Sequence, residues 1–219
     1  NGIICASDGG AARKMGSFGY VIADDKYKVL VRGNGPVFGY KPSSYRSEAF
    51  GVLAVVRIIT QLVDYFGEHH NIEIKHFMDN KAVINQLSNM LPKSYDNANE
   101  VFISEWDVLA EIKSTVLKLK TSQEIEHVKA QQDDDKPVVV LLPEAKINVE
   151  CDTLATEFLD NEATVNDSSS LFSTTKCHLY IDNKVVTSNL KQKVRTAYAL
   201  PALKQYLIEQ NGWFNEEWN

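Results

Sequence analysis

Apolar and polar residues alternate along Gly2–Asp8 (GIICASD), Gly16–Asp25 (GSFGYVIADD) and Lys26–Gly35 (KYKVLVRGNG), with Gly, Asp and Lys at the joints. Period-two runs separated by such short joints predict a three-stranded antiparallel meander. From Ser43 to Phe66 the period changes. SSYRSEAFGVLAVVRIITQLVDYF sets apolar residues at helical spacing behind a serine pair suited to N-capping. Asn71–Asp79 (NIEIKHFMD) then predicts a fourth strand, Asn80–Met90 a short helix, Pro92–Asn99 a loop and Ser104–Leu119 a helix. Ser122–Ala130 predicts a fifth strand, Gln131–Pro137 a polar loop, and Leu142–Leu159 a helix with Pro143 in its first turn. No internal repeat interrupts this order.

Three strands, a helix, a strand, two helices, a strand and a helix predict an α/β fold: a mixed five-stranded sheet flanked by helices. A right-handed crossover through the long helix sets the fourth strand parallel to the first, for a sheet order of 3-2-1-4-5. In such open sheets sites form at the carboxyl ends of adjacent parallel strands, where strand order reverses. That is where Asp8 and Asp79 become neighbours.

Beyond residue 160 the pattern weakens. Residues 161–175 read as a polar linker, and residues 176–219 as a small α+β extension. In it, KCHLYIDNKVVTS predicts a hairpin turning at Asp182 and Asn183, and NLKQKVRTAYALPALKQYLIEQNGW a helix, a proline break and a second helix. Lys176, Lys184, Lys191, Lys193, Arg195 and Lys204 make the extension basic, with Tyr198, Trp213, Phe214 and Trp218 among them. Such a surface suits duplex backbone or a stacked base, and solvated lysines with core aromatics are the plainer alternative.

Composition narrows the class. At 219 residues and 44% hydrophobic content the chain can build one full core and a small appendage. The net charge of −6 and pI of about 5.4 lack the overall basic field of a typical nucleic-acid binder. Cys5, Cys151 and Cys177 show no paired spacing, which predicts buried free thiols and an intracellular, cytoplasmic or nuclear setting. No apolar run is expected to reach the length of a membrane span. The chain begins at Asn1 and enters its first strand at once, which points to a piece of a longer polypeptide.

Four acids stand out against this background. Asp8 shares a strand face with Ile4 and Ala6, so it emerges from a row that otherwise enters the core. Glu48 lies in the first turns of the long helix, where the helix dipole and capping also favour an acid. Asp79 ends the fourth strand, as part of a site or as the N-cap of the next helix. Asp152 sits mid-helix in NVECDTLATEF, where helix propensity disfavours it. Gathered together, four carboxylates repel and raise one another's pKa. Divalent cations with a taste for hard oxygen ligands, Mg²⁺ or Mn²⁺, relieve that repulsion.

The pieces SDGG (Ser7–Gly10), SSYRSEAFGVLAV around Glu48, MDNKAVINQL around Asp79, HVKAQQDDD from His127 and NVECDTLA around Asp152, in this order, give residues 1–160 a resemblance to a type 1 ribonuclease H domain. The resemblance is greatest to the domains at the end of retrotransposon reverse-transcriptase polyproteins. It implies Asp8, Glu48, Asp79 and Asp152 as catalytic, metal-binding acids, and two Mg²⁺ ions for which Mn²⁺ substitutes. The implied reaction is hydrolysis of the RNA strand of an RNA–DNA hybrid, and the implied partner is the rest of such a polyprotein. Reading the 2′-hydroxyl distinguishes RNA from DNA.

Gln131 departs from the pattern, since most relatives carry histidine there. Glutamine donates and accepts hydrogen bonds but takes up no proton at neutral pH, so slower turnover is expected. His127, within the strand, reads as a packed histidine before it reads as a substitute catalyst. Asp133–Asp135 read as a solvated loop or as an aid to the second cation. For the substrate, the resemblance sets Ser43, Ser44 and Tyr45 against the DNA strand, although capping accounts for one serine equally well. Gly9 and Gly10 admit close backbone approach of the RNA strand or serve a turn. Asn80 is a substrate contact or a helix cap. Two other readings compete: a catalytically retired module that binds nucleic acid or protein, and an integrase, transposase or exonuclease of the same fold. The latter use fewer acids, or acids in other contexts.

Overall fold

The computed structural model describes residues 2–12, 15–39, 42–67, 72–92, 102–119, 121–134, 136–161, 172 and 179–211. Strands β1 (Gly2–Ala12), β2 (Met15–Asp24) and β3 (Val29–Pro36) form the antiparallel meander, and β4 (Glu73–Met78) and β5 (Ser122–His127) extend it in parallel. The order is β3-β2-β1-β4-β5, as the crossover argument predicts. β1 does not stop at Asp8. It stays paired with β2 from Ile3↔Asp24 to Ala12↔Met15, while its ladder with β4 ends at Ala6↔Phe77.

Alternation along the strands sorts side chains onto two faces. Cys5, Ile22, Ile74 and Met78 face the helices α1 (Ser44–Phe66), α2 (Lys81–Met90) and α3 (Trp106–Leu119) in the main core. Ile4, Ala6, Val21 and Phe77 meet Ile147 and Cys151 of α4 (Pro143–Asn161) on the other face. α1 starts at Ser43, whose hydroxyl accepts from the Arg46 N–H, and ends at Gly67, whose left-handed backbone (φ 70°) sends its N–H to the Val63 carbonyl. Contrary to the expectation that no segment reaches span length, α1 is long and apolar enough to cross a membrane, with 23 residues and a mean hydropathy of 1.6. In the fold that apolar surface is used as core: Leu53, Val55, Val56 and Ile59 are all buried between the sheet and α3. Each such side chain contributes about 1.5–3 kcal/mol.

The hairpin forms where expected, β6 (Leu179–Ile181) pairing with β7 (Lys184–Val186). Asp182 and Asn183 both take positive φ, 50° and 61°, the requirement of a two-residue turn that matches strand twist. The proline break is not found. α5 (Leu190–Val194) continues through a π segment, Arg195–Ala199, into α6 (Leu200–Asn211) with Pro201 inside it. Proline removes an N–H and crowds the preceding turn, and the widened π turn accommodates both, with the Leu200 N–H reaching back to the Arg195 carbonyl. Among the described residues, Phe172 and Thr187 fasten this part to the sheet domain. Phe172, from the stretch read as linker, is buried against Phe50 with ring centroids 5.7 Å apart, and the Arg57 guanidinium lies over its ring. The Glu105 N–H donates to the Thr187 carbonyl at 2.6 Å.

Cys5 and Cys151 are buried free thiols, and Cys177 lies outside the described residues, as do Lys176, Trp213, Phe214 and Trp218. His127 is exposed, not packed, because it stands on the edge strand of the sheet.

Candidate active site

Strand register builds the first half of the site. Carrying the Cys5↔His76 and Ala6↔Phe77 pairing two residues further sets Asp8 opposite Asp79. β4 ends at Met78, and Asn80, not Asp79, caps α2: its Oδ1 accepts from the N–H groups of Ala82 and Val83 at 3.1 and 3.2 Å. Asp79 therefore spends none of its oxygens on the helix. Gly9 brings in the third acid. A Cβ there would collide with the backbone of Ser47 and Glu48, so only glycine lets β1 and α1 touch at this point. Glu48 thereby reaches the strand ends, and Asp8, Glu48 and Asp79 each offer an oxygen within 4.8 Å of the others.

The trio is costly without a counter-charge. Glu48 is buried, and its Oε2 has no hydrogen-bond partner. Burial first, then the charges of Asp8 and Asp79, push its carboxyl up to about 11. Asp8 is pushed up to about 6, again by burial first and Asp79 next, although its Oδ1 accepts the Gly9 N–H at 2.6 Å. The orphaned Glu48 oxygen, the shared oxygen cage and an all-carboxylate donor set fit a hard divalent cation.

Asp152 does not join this cage. It stands exposed on α4, close enough for its charge to act on Asp8 and for Asp79 to act on it. Its carboxyl is raised by partial burial and then by Asp133, Asp79 and Asp134, so the loop after β5 adds its acids at the margin of the site. Gln131 is exposed in that loop, in the left-handed region at φ 50°, with its carbonyl facing the Asp134 N–H. Ser43 and Ser44 are exposed at the start of α1, where Ser43 caps the helix. Tyr45 is partly buried, and its hydroxyl is pushed up to about 12 by burial and by Glu105. Gly9 and Gly10 belong to β1 and not to a turn; a Cβ at Gly10 would press on Leu159 of α4 at 3.2 Å.

Two supports under the site were not visible from the motifs. The Ser7 hydroxyl and His76 Nε2 lie 2.8 Å apart in the core, joining β1 to β4 just below Asp8 and Asp79, and burial pushes His76 down to about 4. Arg46, buried two residues before Glu48, donates to the Phe38 carbonyl, to Glu105 and to both oxygens of Asp107. An arginine in the first turn of a helix otherwise destined for the core is the signal that marks it.

No model of a known protein family matches the chain, and no curated protein sequence matches it. Solved structures do. LC11-RNase H1 in complex with an RNA/DNA hybrid superposes with a TM-score of 0.53 at 16% identity, covering 72% of this chain and 96% of that one. LC11-RNase H1 isolated from compost by a metagenomic approach gives 0.52 at 17%, covering 73% and 96%. The foamy viral protease-reverse transcriptase in complex with an RNA/DNA hybrid gives 0.52 at 15%, over 71% of this chain but only 19% of the viral one. The chain has the ribonuclease H fold.

Proposed function

We propose that the protein is a metal-dependent endoribonuclease that hydrolyses the RNA strand of RNA–DNA hybrids. The observation that carries this reading is the cage of Asp8, Glu48 and Asp79, whose oxygens lie within 4.8 Å of one another around a buried, unpartnered Glu48 oxygen. Asp8, Glu48 and Asp79, with Asp152 beside them on α4, would hold two Mg²⁺ ions, for which Mn²⁺ would substitute. Bound there, such ions would supply an activated water and charge stabilisation for phosphoryl displacement. The chain's own residues do the rest. Glu48, protonated in the metal-free site, would release its proton to solvent on taking up an ion, while Ser43, Ser44 and Tyr45 face the DNA strand and Asn80 reaches the substrate from its capping position. Gly9 and Gly10 act here through packing, by letting α1 and α4 close on β1. The complexes of LC11-RNase H1 and of the foamy viral enzyme with RNA/DNA hybrid support the substrate class, and the viral example supports an origin beside a reverse transcriptase, of retrotransposon type.

Gln131 favours a second reading, a weak or retired module that binds without cutting, because its amide cannot shuttle a proton. A labelled RNA–DNA hybrid, with single-stranded RNA, double-stranded RNA and DNA as controls, separates the two. Mg²⁺-dependent cleavage confined to the hybrid is the expected result; binding with no cleavage selects the retired module.

A further inference from the structure

We infer that the C-terminal extension is a second binding surface for the sugar–phosphate backbone of the hybrid duplex, formed by a cationic cleft between the β6–β7 hairpin and the α5–α6 helix. The identity of the duplex rests on the nuclease reading above; the cleft and its charge do not.

The cleft has a volume of about 750 Å³ and is walled by Val185, Val186 and Pro201, with Lys184 and Lys193 on its lining. The Lys193 ammonium leans on the Ser188 hydroxyl at 3.4 Å. Asp182, in the hairpin turn, is the acid on the lining. Residues 179–211 hold five Lys or Arg (184, 191, 193, 195, 204) against two acids, Asp182 and Glu209, in a chain whose net charge is −6. Duplex nucleic acid carries a negative charge about every 1.7 Å of axis, so a net acidic sheet domain repels the very polymer its site must hold. The whole extension, residues 176–219, carries six Lys or Arg against four acids and is net positive beside a net acidic sheet domain.

Position supports the same occupant. Thr187 follows β7 directly and accepts the Glu105 N–H, and the Ser43 hydroxyl lies 3.5 Å from Glu105 Oε1. The cleft is thus two hydrogen bonds from the α1 terminus that faces the DNA strand in the proposed complex.

The test compares Lys184→Gln/Lys193→Gln with the parent protein and with Lys26→Gln, an exposed lysine of the β2–β3 turn. Anisotropy of a labelled RNA–DNA hybrid is followed in EDTA across a salt series, with circular dichroism to check folding. The double variant is expected to bind about tenfold more weakly and to lose about two from the slope of log affinity against log salt, while Lys26→Gln changes neither. Under Mg²⁺ its loss of kcat/KM should come through KM. If the double variant unfolds, Lys184→Gln alone, at an exposed position of the cleft, makes the same measurement with a slope loss of about one. Parent affinity and slope in the folded variants overturn the proposal, as does dimerisation through the cleft or binding of a protein ligand there with hybrid affinity unaltered. Hybrid that is bound through these lysines but never cut retires the nuclease reading and leaves this one standing; cleavage with an unchanged KM does the reverse.

Discussion

Glu48 and Asp8 hold protons that ordinary carboxyls lose, and this reverses the usual pH dependence of an acidic site. Their folded pKa values, about 11 and about 6, lie above the ordinary 4.5 and 3.8, so above pH 4 the folded state binds more protons than the unfolded one. Stability from these groups is complete below that range and is lost as pH rises through the folded values. The metal-free protein should therefore melt at lower temperature at pH 8 than at pH 5, and Mg²⁺ bound only to the folded cage, as proposed, should offset the loss. Asp8→Asn should abolish cleavage, raise metal-free stability by about 1–3 kcal/mol, and flatten the melting profile across that interval. A metal-free melting temperature that climbed with pH would contradict the assignment. Uptake of Mg²⁺ at pH 7 should release close to one proton, seen as a dependence of calorimetric heat on buffer ionisation enthalpy. Gln131→His should speed turnover several-fold and introduce an acid limb near the histidine pKa of about 6.5. The left-handed backbone at 131 accepts histidine readily.

At the scale of elements the site depends on close approach and on a buried ion cluster. Gly9→Ala sets a methyl against the backbone of Ser47 and Glu48, which cannot swing aside as a side chain can. A loss of about 3 kcal/mol in stability is expected, with weakened Mg²⁺ affinity because Glu48 is pushed from the strand ends. Arg46→Ala leaves Glu105 and Asp107 without their counter-charge, and Glu105 is only 2% exposed. Denaturant titration should show a loss of about 3–5 kcal/mol. The same cluster marks the limit of what the sequence makes legible. β1 to β5 and the long helix are readable because period two and period 3.6 are local signals, and the order of elements then dictates which acids meet. Arg46 meets Glu105 and Asp107 from 59 and 61 residues away, and Ser7 meets His76 from 69. No local period reports such pairings. Asn80 is undecided from sequence for a related reason: a cap and a contact demand the same residue, and only the structure shows its Oδ1 accepting from Ala82 and Val83, which leaves the amide NH₂ for the contact proposed above.

The whole molecule is a sheet domain with an appendage fastened to it, among the described residues, by the buried Phe172 ring and by the Glu105–Thr187 hydrogen bond. Phe172→Ala should cost about 3–5 kcal/mol in global stability and open residues 173–211 to limited proteolysis before the sheet domain is cut. A single transition, with tail and sheet lost together, would instead show the two parts to be one cooperative unit. The β1–β4 ladder has a last consequence. In a sheet, slipping by one residue turns every side chain to the opposite face, so a chain that paired β4 one place out would aim Asp79 away from Asp8 and bind no ion. On the metal-dependent reading proposed above, cation capture would act as a proofreading step for strand alignment: it would reward only molecules already zipped correctly, slowing their unfolding while leaving the rate of refolding untouched.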